Sequence, residues 1–598
     1  MASEPGLSFQ SDRYSIRPVF LLALVLAATF VVYSGSLGFQ FVWDDETQIA
    51  ANPMIREARY LPAYFQYHVW SYMAPVDLGN YYRPLFLVWL LLNYKLFGAN
   101  TMGWHLTTVL AHLGATAMVY LVARRLTRNQ NVGLLAALIF GLHPVHIEAV
   151  SWVSGVTEPL LAIPFMAALL CHLRARETKL LAWRAAALSL FITSMLLKET
   201  ALVFPAFVFA YEWLYPSPEN PALENKPKST GSLWRRTRSA ILITIPYALL
   251  IALYIPLRIH VLRGFSHPVM SIPLLVDLLT IPSLLWFYAK LLLYPVGLSV
   301  FYDTPYVVQF GVGSVLMPAI VVAAMAGALW FWWRRTHSTA VLYSAVFLIV
   351  PLLPLFNLST FQNGEIAHDR YLYLPSVGFS ILAAMALLAI GQEGSKLGKV
   401  AATRVVAIAA VALFLAGATV VQNAYWADNL VLYFRGMQIA PNNNLARVNL
   451  ANELLNRGMS QQAIGLYQQV LERDPNYWLC IYNLGYVHFR LGHYEQAESF
   501  LTRAALMNPR DADSALYLGL TKRKLGKLDD ALIALKAALQ REPRGRGYRY
   551  SLGLVLEEQG KPKEALEMFE AELQHNPRYP EPKVRIAKLQ KELHVSPQ

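Results

Sequence analysis

Only two cysteines, Cys171 and Cys480, occur in 598 residues. So few, so far apart, exclude a disulfide framework and a cysteine-based metal knuckle. Charge is scarce as well: 15% of residues are charged and 56% are hydrophobic, whereas a soluble domain carries about a quarter charged residues. That balance excludes an ordinary soluble protein and points to many membrane spans. Acidic residues are the rarer sign, 38 against 51 basic ones, for a net charge of +13. In a soluble chain this excess suggests nucleic acid. Here Lys and Arg sit between apolar runs, where cytoplasmic loops need them, so no nucleic-acid partner is expected. No evident small-x-small cleavage site follows the first apolar run, which comes after Arg13 and Arg17. That run is therefore expected to be a retained span.

The apolar runs fill the chain to about residue 421 and then give way to a mixed, polar composition. Expected spans are 17–37, 103–123, 132–148, 157–172, 182–197, 200–214, 239–259, 315–333, 340–356, 371–390 and 401–421. Two further apolar stretches, 84–97 and 276–294, read either as spans or as helices lying at the surface. Basic loops at 123–130, 173–179, 233–239, 332–338 and 394–404 all become cytoplasmic if neither stretch crosses. The expectation is then eleven spans, a cytoplasmic N-terminus and a non-cytoplasmic segment after 421. The basic stretch "RIHVLRG" (258–264) falls on the outer side in this arrangement.

The outer side gathers most of the carboxylates and histidines that lie near span ends. It holds Asp44 and Asp45; Arg83 in "NYYRPL"; His143, His146, Glu148 and Glu158; Lys198 and Glu199; and His368, Asp369 and Arg370. Ionisable groups at membrane depth are costly and usually functional, so an enzyme or transporter site is expected there. Asp44 and Asp45 read as a general base or divalent-metal ligands, or as a cap and a solvated loop start. The spacing H-x-x-H-x-E of His143, His146 and Glu148 suits a metal site or a hydrogen-bonded helix end interrupted by Pro144. Glu158 stands at a helix start, which favours a carboxylate. Lys198 and Glu199 read as an ion pair, or Lys198 as a point charge for phosphate. Arg370 and Arg83 offer forks for phosphate, or snorkel to the interface.

Past residue 421 the pattern changes. Pro441, Pro475, Pro509, Pro543 and Pro577 recur every 34 residues. Leu450-Ala451, Leu484-Gly485, Leu518-Gly519 and Leu552-Gly553 recur in register, as do Gly458, Gly492, Gly526 and Gly560, and Ala463, Ala497, Ala531 and Ala565. This is the tetratricopeptide (TPR) period, expected to form an α-solenoid. Four repeats are expected over 444–598, a connecting half-repeat helix over 422–443, and the membrane domain over 1–421. Such stacks are binding scaffolds, so no catalytic residue is sought in them.

The motifs "FVWDDETQIAANPMI", "YYRPLFLVWLLLNYKLFGANTMGWHL", "FGLHPVHIEAVSWVSG", "LLKET" and "DRYLYLPSVGF", in this order and followed by the repeats, resemble the TMTC-type protein O-mannosyltransferases and their bacterial relatives within the GT-C superfamily. The resemblance implies an all-α polytopic GT-C fold and transfer of a sugar, mannose by expectation, from a polyprenyl-phosphate carrier to a protein hydroxyl on the non-cytoplasmic face. It implies a catalytic acidic residue in the first outer loop, which maps to Asp44 or Asp45, with Arg370, Lys198 and Arg83 as phosphate-binding candidates. His143, His146, Glu148, Glu158, Glu199, His368 and Asp369 would support the site. The family commonly has "ERYLYLPS" where this chain has Asp369, and animal members often have "GRAD" where it has "SWVSGVTEPL". The implied partners are the carrier-linked sugar, membrane lipid and an acceptor protein held by the repeats; no cofactor is required, and a divalent cation is allowed. A bacterial inner membrane with a periplasmic repeat domain is the expected location. The competing readings are a ligase or polymerase using a diphosphate-linked donor, and a non-enzymatic scaffold or transporter.

Overall fold

The computed structural model describes residues 16–72, 79–215, 230–265, 267, 271–390, 397–577 and 579–593. Arg13 and the beginning of the basic loop 394–404 lie outside them. Among the described residues the protein is helical throughout, with only two isolated β-bridges, both at Thr304. It divides into two compact units, residues 1–441 and 442–598.

The first unit is the membrane part. Among the described residues eight helices are long and apolar enough to cross a bilayer, and a ninth span results if Gln130–Leu142 and Pro144–Val150, bent by 56°, are one crossing. The bend falls at Pro144, whose ring cannot continue the preceding helix. Three segments expected as spans are shorter: Leu181–Leu197, Phe204–Leu214 and Pro375–Ala389. Polar or proline-bearing turns delimit them. Lys198 leaves the helical region at φ −161°, the 3₁₀ turn Glu199–Val203 precedes the second, and Asp369–Leu372 precedes the third.

Conversely, Leu274–Leu293, expected at the surface, is long enough to cross. One side packs on the helix Met317–Thr336 and the turn before it, and another side packs on loops. Ile272, Leu284, Tyr288 and Leu292 pack in one cluster with Leu298, Tyr306, Leu358 and Ile366, and the Thr280 hydroxyl accepts from Val307 N at 2.9 Å. Pro84–Phe97 behaves likewise: Phe86, Leu87, Leu90 and Leu91 bury against Ile49, Ile55, Tyr64 and Val69 of the loop before it.

Loops fall into two groups. Residues 39–72, 79–83, 143–156, 198–203, 294–311 and 357–374 are tied together by the polar contacts described below. The remaining span ends meet one another: Arg125 pairs with Glu177, Arg176 reaches the Tyr215 carbonyl, and a second cavity is lined by Thr127, Tyr215, His337 and Ala389. This second group contains three helix ends closed by a basic residue in the left-handed region, Arg128, Lys179 and His337, at φ 52°, 57° and 52°. Cations suit helix C-termini, where carbonyls are unpaired.

Small residues let the helices approach. A Cβ on Gly378 would strike the Ser344 carbonyl oxygen and Phe347 Cβ of the neighbouring Thr339–Ile349 helix. Gly378→Ala is expected to cost about 1–3 kcal/mol through overpacking. Gly417→Ala, where a Cβ meets nothing within 4 Å, is the control. Thermal denaturation in detergent checks both.

The second unit contains four helix pairs, from Asn444–Asn456 with Ser460–Arg473 to Tyr548–Glu558 with Pro562–His575, followed by Glu581–Glu592. Gly458, Gly492, Gly526 and Gly560 all adopt positive φ, between 73° and 80°, which ends the first helix of each pair cheaply. Gly485, Gly519 and Gly553 lie where a Cβ would collide with Leu501, Leu535 and Phe569. The 34-residue pattern is thus a pattern of close helix crossings.

Candidate functional site

The first loop is built around a strained residue. After the 3₁₀ turn Ser34–Gly38, Trp43 takes φ 54°, a left-handed conformation that is a genuine outlier for a bulky side chain. Three contacts hold it. Its N–H donates to Asn429 Oδ1 at 2.8 Å, its ring stacks on Trp152 with centroids 4.9 Å apart, and Asn429 Nδ2 donates to Glu46 Oε1 at 2.7 Å. Asn429 opens the helix Asn429–Ile439, which packs within the first unit: Gly436 meets the Phe301 ring.

The two carboxylates that follow Trp43 have different surroundings. Asp45 is fully buried. Its Oδ1 accepts from Ser154 N at 2.8 Å and Ser154 Oγ at 2.6 Å, and its Oδ2 accepts from Val42 N at 3.4 Å. Asp45 therefore ties the first loop to the loop before the Thr157–Thr178 helix. Asp44 is half-buried and lines a cavity of roughly 300 Å³. Burial pushes the Asp44 carboxyl up to about 6, with the Arg370 charge pulling the other way. Burial pushes Asp45 up to about 7, against the pull of its Ser154 hydrogen bonds.

Arg83, Lys198 and Arg370 line the same cavity, and each carries a carboxylate partner. Arg83 Nε donates to Glu199 Oε2 at 3.0 Å. Lys198 pairs with Glu158, so the reading of Lys198 and Glu199 as a pair is corrected. These neighbours in sequence face different partners because Lys198 is extended and a 3₁₀ turn begins at Glu199. Burial pushes the Glu199 carboxyl up, and Arg83 overrides it, holding the group down at about 2. Arg370 pairs with the buried Glu148 through its side chain and donates to it from the backbone at 2.9 Å. Its guanidinium also lies 5.4 Å from the Trp152 ring and 5.1 Å from the Tyr371 ring. Three ion pairs thus tie four loops together, and they leave the cavity wall polar while close to charge balance.

The remaining candidates lie behind this wall. His143 Nε2 is 3.0 Å from the Leu292 carbonyl and its Nδ1 accepts from Val145 N. His146 Nε2 meets Ser376 Oγ at 2.7 Å. His368 Nδ1 lies 3.7 Å from Glu148, and Asp369 accepts from the Tyr302 hydroxyl at 2.5 Å. The spacing of His143, His146 and Glu148 therefore does not bring the three into one ligand set. Among the described residues no group of three His, Cys, Asp or Glu side chains could hold a metal ion. Of the carboxylates in and behind the cavity wall, Glu199, Glu158 and Glu148 are each paired with a cation.

Two polar cavity residues, among others, were not candidates. Arg258 lies in the basic stretch that charge counting left on the outer side; that misfit was the available signal. Gln48, four residues beyond Asp44, lies within the motif "FVWDDETQIAANPMI" but was not singled out in it. Both line the cavity.

Comparison with known proteins agrees with this anatomy. Residues 82–231 match the dolichyl-phosphate-mannose-protein mannosyltransferase family, and residues 454–522 and 516–580 match tetratricopeptide-repeat families. Protein O-mannosyl-transferase TMTC1 of Mus musculus is 26% identical over 577 residues, covering 79% of this chain and 60% of that protein. The human TMTC1 is 27% identical, covering 79% and 57%. Protein O-mannosyl-transferase F38B6.6 of Caenorhabditis elegans is 25% identical, covering 79% and 66%. The chain is similar to these TMTC-type proteins over about four fifths of its length. It spans between 57% and 66% of the length of these three relatives. Among solved structures, a thermophilic TPR protein of Thermus thermophilus, TTC0263, is 28% identical, covering 28% of this chain and 91% of that one, with a TM-score of 0.25.

Proposed function

We propose that this protein is a membrane O-mannosyltransferase that moves a sugar from a polyprenyl-phosphate carrier to a protein hydroxyl. One observation carries the reading: the half-buried Asp44 carboxylate shares a cavity wall with Arg370, Lys198 and Arg83. The names of the relatives and of the matching family support mannose, the phosphate-linked donor and a protein acceptor. The basic loops at the opposite span ends support placing the cavity on the non-cytoplasmic side. The bacterial inner membrane is part of this proposal, and so is capture of the acceptor by the repeats.

In this mechanism Asp44 takes the proton of the acceptor hydroxyl. The acceptor oxygen bonds to the anomeric carbon as the carbon–oxygen bond to phosphate breaks, with inversion. The electron pair leaves with the carrier phosphate. The charge growing on that phosphate is stabilised by Arg370, Lys198 and Arg83, whose positions are fixed beforehand by their carboxylate partners. Asp45, held by Ser154, sets the loop that presents Asp44. No step uses a metal.

The test is transfer of labelled mannose from polyprenyl-phosphate mannose by the purified full-length protein. A diphosphate-linked donor serves as the competing substrate. Transfer from the diphosphate donor alone sinks the reading.

A pH dependence follows. Asp44 acts as a base only when ionised, so kcat/KM is expected to rise through about pH 6 and level off above it. Stability runs the other way. Burial raises Asp44 and Asp45 above their ordinary values, so the native state binds their protons more tightly than the unfolded state does. These two groups therefore lower stability as pH climbs from about 4 to about 7. Initial rates and melting temperatures across pH 5–8 check both signs.

A further inference from the structure

Among the described residues the cavity wall carries four cations; three are committed to carboxylates and the fourth is not. Arg258 lies near the end of the Thr230–Leu262 helix and is 7% exposed. Its Nη2 donates to the Asn80 carbonyl at 2.8 Å, the Tyr254 hydroxyl lies beside the guanidinium, and Nη1 is enclosed without a hydrogen bond of normal geometry. It forms no ion pair among the described residues. The nearby Glu199 carboxylate, on which its charge acts, is already engaged by two nitrogens of Arg83. A buried guanidinium N–H without an acceptor is expensive, and such a group in a native structure calls for an explanation.

The same cavity holds an unsatisfied group of opposite kind. Gln48 is 6% exposed and its Oε1 is buried without a partner. It stands four residues after Asp44, in the helical turn Glu46–Ala50 that continues the Asp44 segment. The cavity wall therefore carries a cation without a carboxylate partner and, four residues from the carboxylate, an amide whose carbonyl is unsatisfied.

We propose that Arg258 binds the phosphate of the carrier lipid and that Gln48 accepts a hydrogen bond from a hydroxyl of the sugar attached to it. The inference rests on the reading of the cavity as a polyprenyl-phosphate sugar site, and it assigns the two ends of that donor. An arginine fork matches two phosphate oxygens and keeps its charge at every relevant pH. An incoming phosphate meets in Arg258 a cation whose charge no paired carboxylate offsets, whereas Arg83, Lys198 and Arg370 are each already paired. Arg258 thus supplies net attraction, and the three paired cations supply shape and direction. The Asn80 side chain fixes the neighbouring backbone, accepting from His267 N at 2.8 Å and donating to the His267 carbonyl at 3.0 Å. The Arg258 helix is thereby fastened to the first loop on the side where its side chain meets the cavity.

The experiment measures binding of a short-chain polyprenyl monophosphate, the corresponding polyprenol and inorganic phosphate to the full-length protein. Wild type, Arg258→Lys, Arg258→Gln and Gln48→Leu are compared, with melting temperatures recorded for each. Arg258→Gln is expected to weaken polyprenyl phosphate about tenfold or more, the effect of one lost charge-assisted contact. Arg258→Lys is expected to lie between Arg258→Gln and wild type. Polyprenol affinity stays the same throughout. Gln48→Leu leaves polyprenyl phosphate affinity unchanged, because that ligand has no sugar, and raises KM for the sugar-loaded donor.

Equal polyprenyl phosphate affinity in wild type and in either Arg258 variant overturns the phosphate assignment. An unchanged KM in Gln48→Leu overturns the sugar assignment. Inorganic phosphate competing as well as the lipid ester overturns the carrier as ligand. Binding that depends on Arg258 without any sugar transfer by wild type would sink the transferase reading and leave the phosphate site standing.

Discussion

Asp44→Asn is expected to lower sugar transfer by about a hundredfold to ten-thousandfold, the range for loss of a positioned general base. The substitution keeps the size of the side chain and removes its basicity. Asp45→Asn is expected to act differently. Asp45 touches no cavity space; its oxygens accept from Ser154 N, Ser154 Oγ and Val42 N. An amide can still accept at one oxygen, but its NH2 group faces a backbone N–H it cannot pair with. The expected outcome is a lowered melting temperature and a smaller loss of transfer, with the pH limb near 6 retained. Labelled-sugar transfer and thermal denaturation on both variants decide the matter. Equal transfer by Asp44→Asn and wild type removes the base assignment, whatever Asp45→Asn does.

Glu148→Gln is the second large effect. Glu148 is fully buried and receives both the Arg370 guanidinium and the Arg370 N–H. Neutralising it leaves a buried guanidinium among aromatic rings, with Asp44, which acts on it only through space, as a remaining counter-charge. Breaking a buried pair from one side costs about 3–5 kcal/mol, because the partner's charge remains without compensation. The double variant Glu148→Gln with Arg370→Gln is expected to recover a large part of the loss, since two amides can pair where one amide and a cation cannot. A double-mutant cycle on melting in detergent measures this. A single-variant cost below about 1 kcal/mol would place Arg370 in water rather than in the pair.

Both predictions rest on features that were unevenly legible in the sequence. The repeats were legible in full, because every unit keeps its glycines and leucines at places where helices nearly touch. So was the gathering of polar loops, because basic residues mark the opposite span ends and leave few alternatives. Partner choice was not legible. Lys198 and Glu199 are adjacent, and proximity along the chain suggests a pair; the backbone turns between them and gives each a partner on another loop. The difference between Asp44 and Asp45 was hidden for a similar reason: it depends on the φ of Trp43, and nothing in "VWDDE" demands a left-handed tryptophan. That conformation is imposed by Asn429 and Trp152, far away in sequence. Length was legible in part. The stretch 276–294, read either as a span or as a surface helix, forms a helix long enough to cross, whereas Pro375–Ala389 is shorter than expected because the turn before it belongs to the site.

The bond from Trp43 to Asn429 joins residues 386 positions apart. A ribosome makes the Asp44 loop early and Asn429 only after every span of the first unit has been synthesised. Until then the Trp43 N–H lacks its acceptor, and the tryptophan has less to hold it in a conformation it otherwise avoids. The loop that carries the proposed base can reach its final form only when the helix leading out of the membrane part is in place. The chain thus carries its own order of assembly: the proposed reaction centre is completed last, after the membrane part that surrounds it.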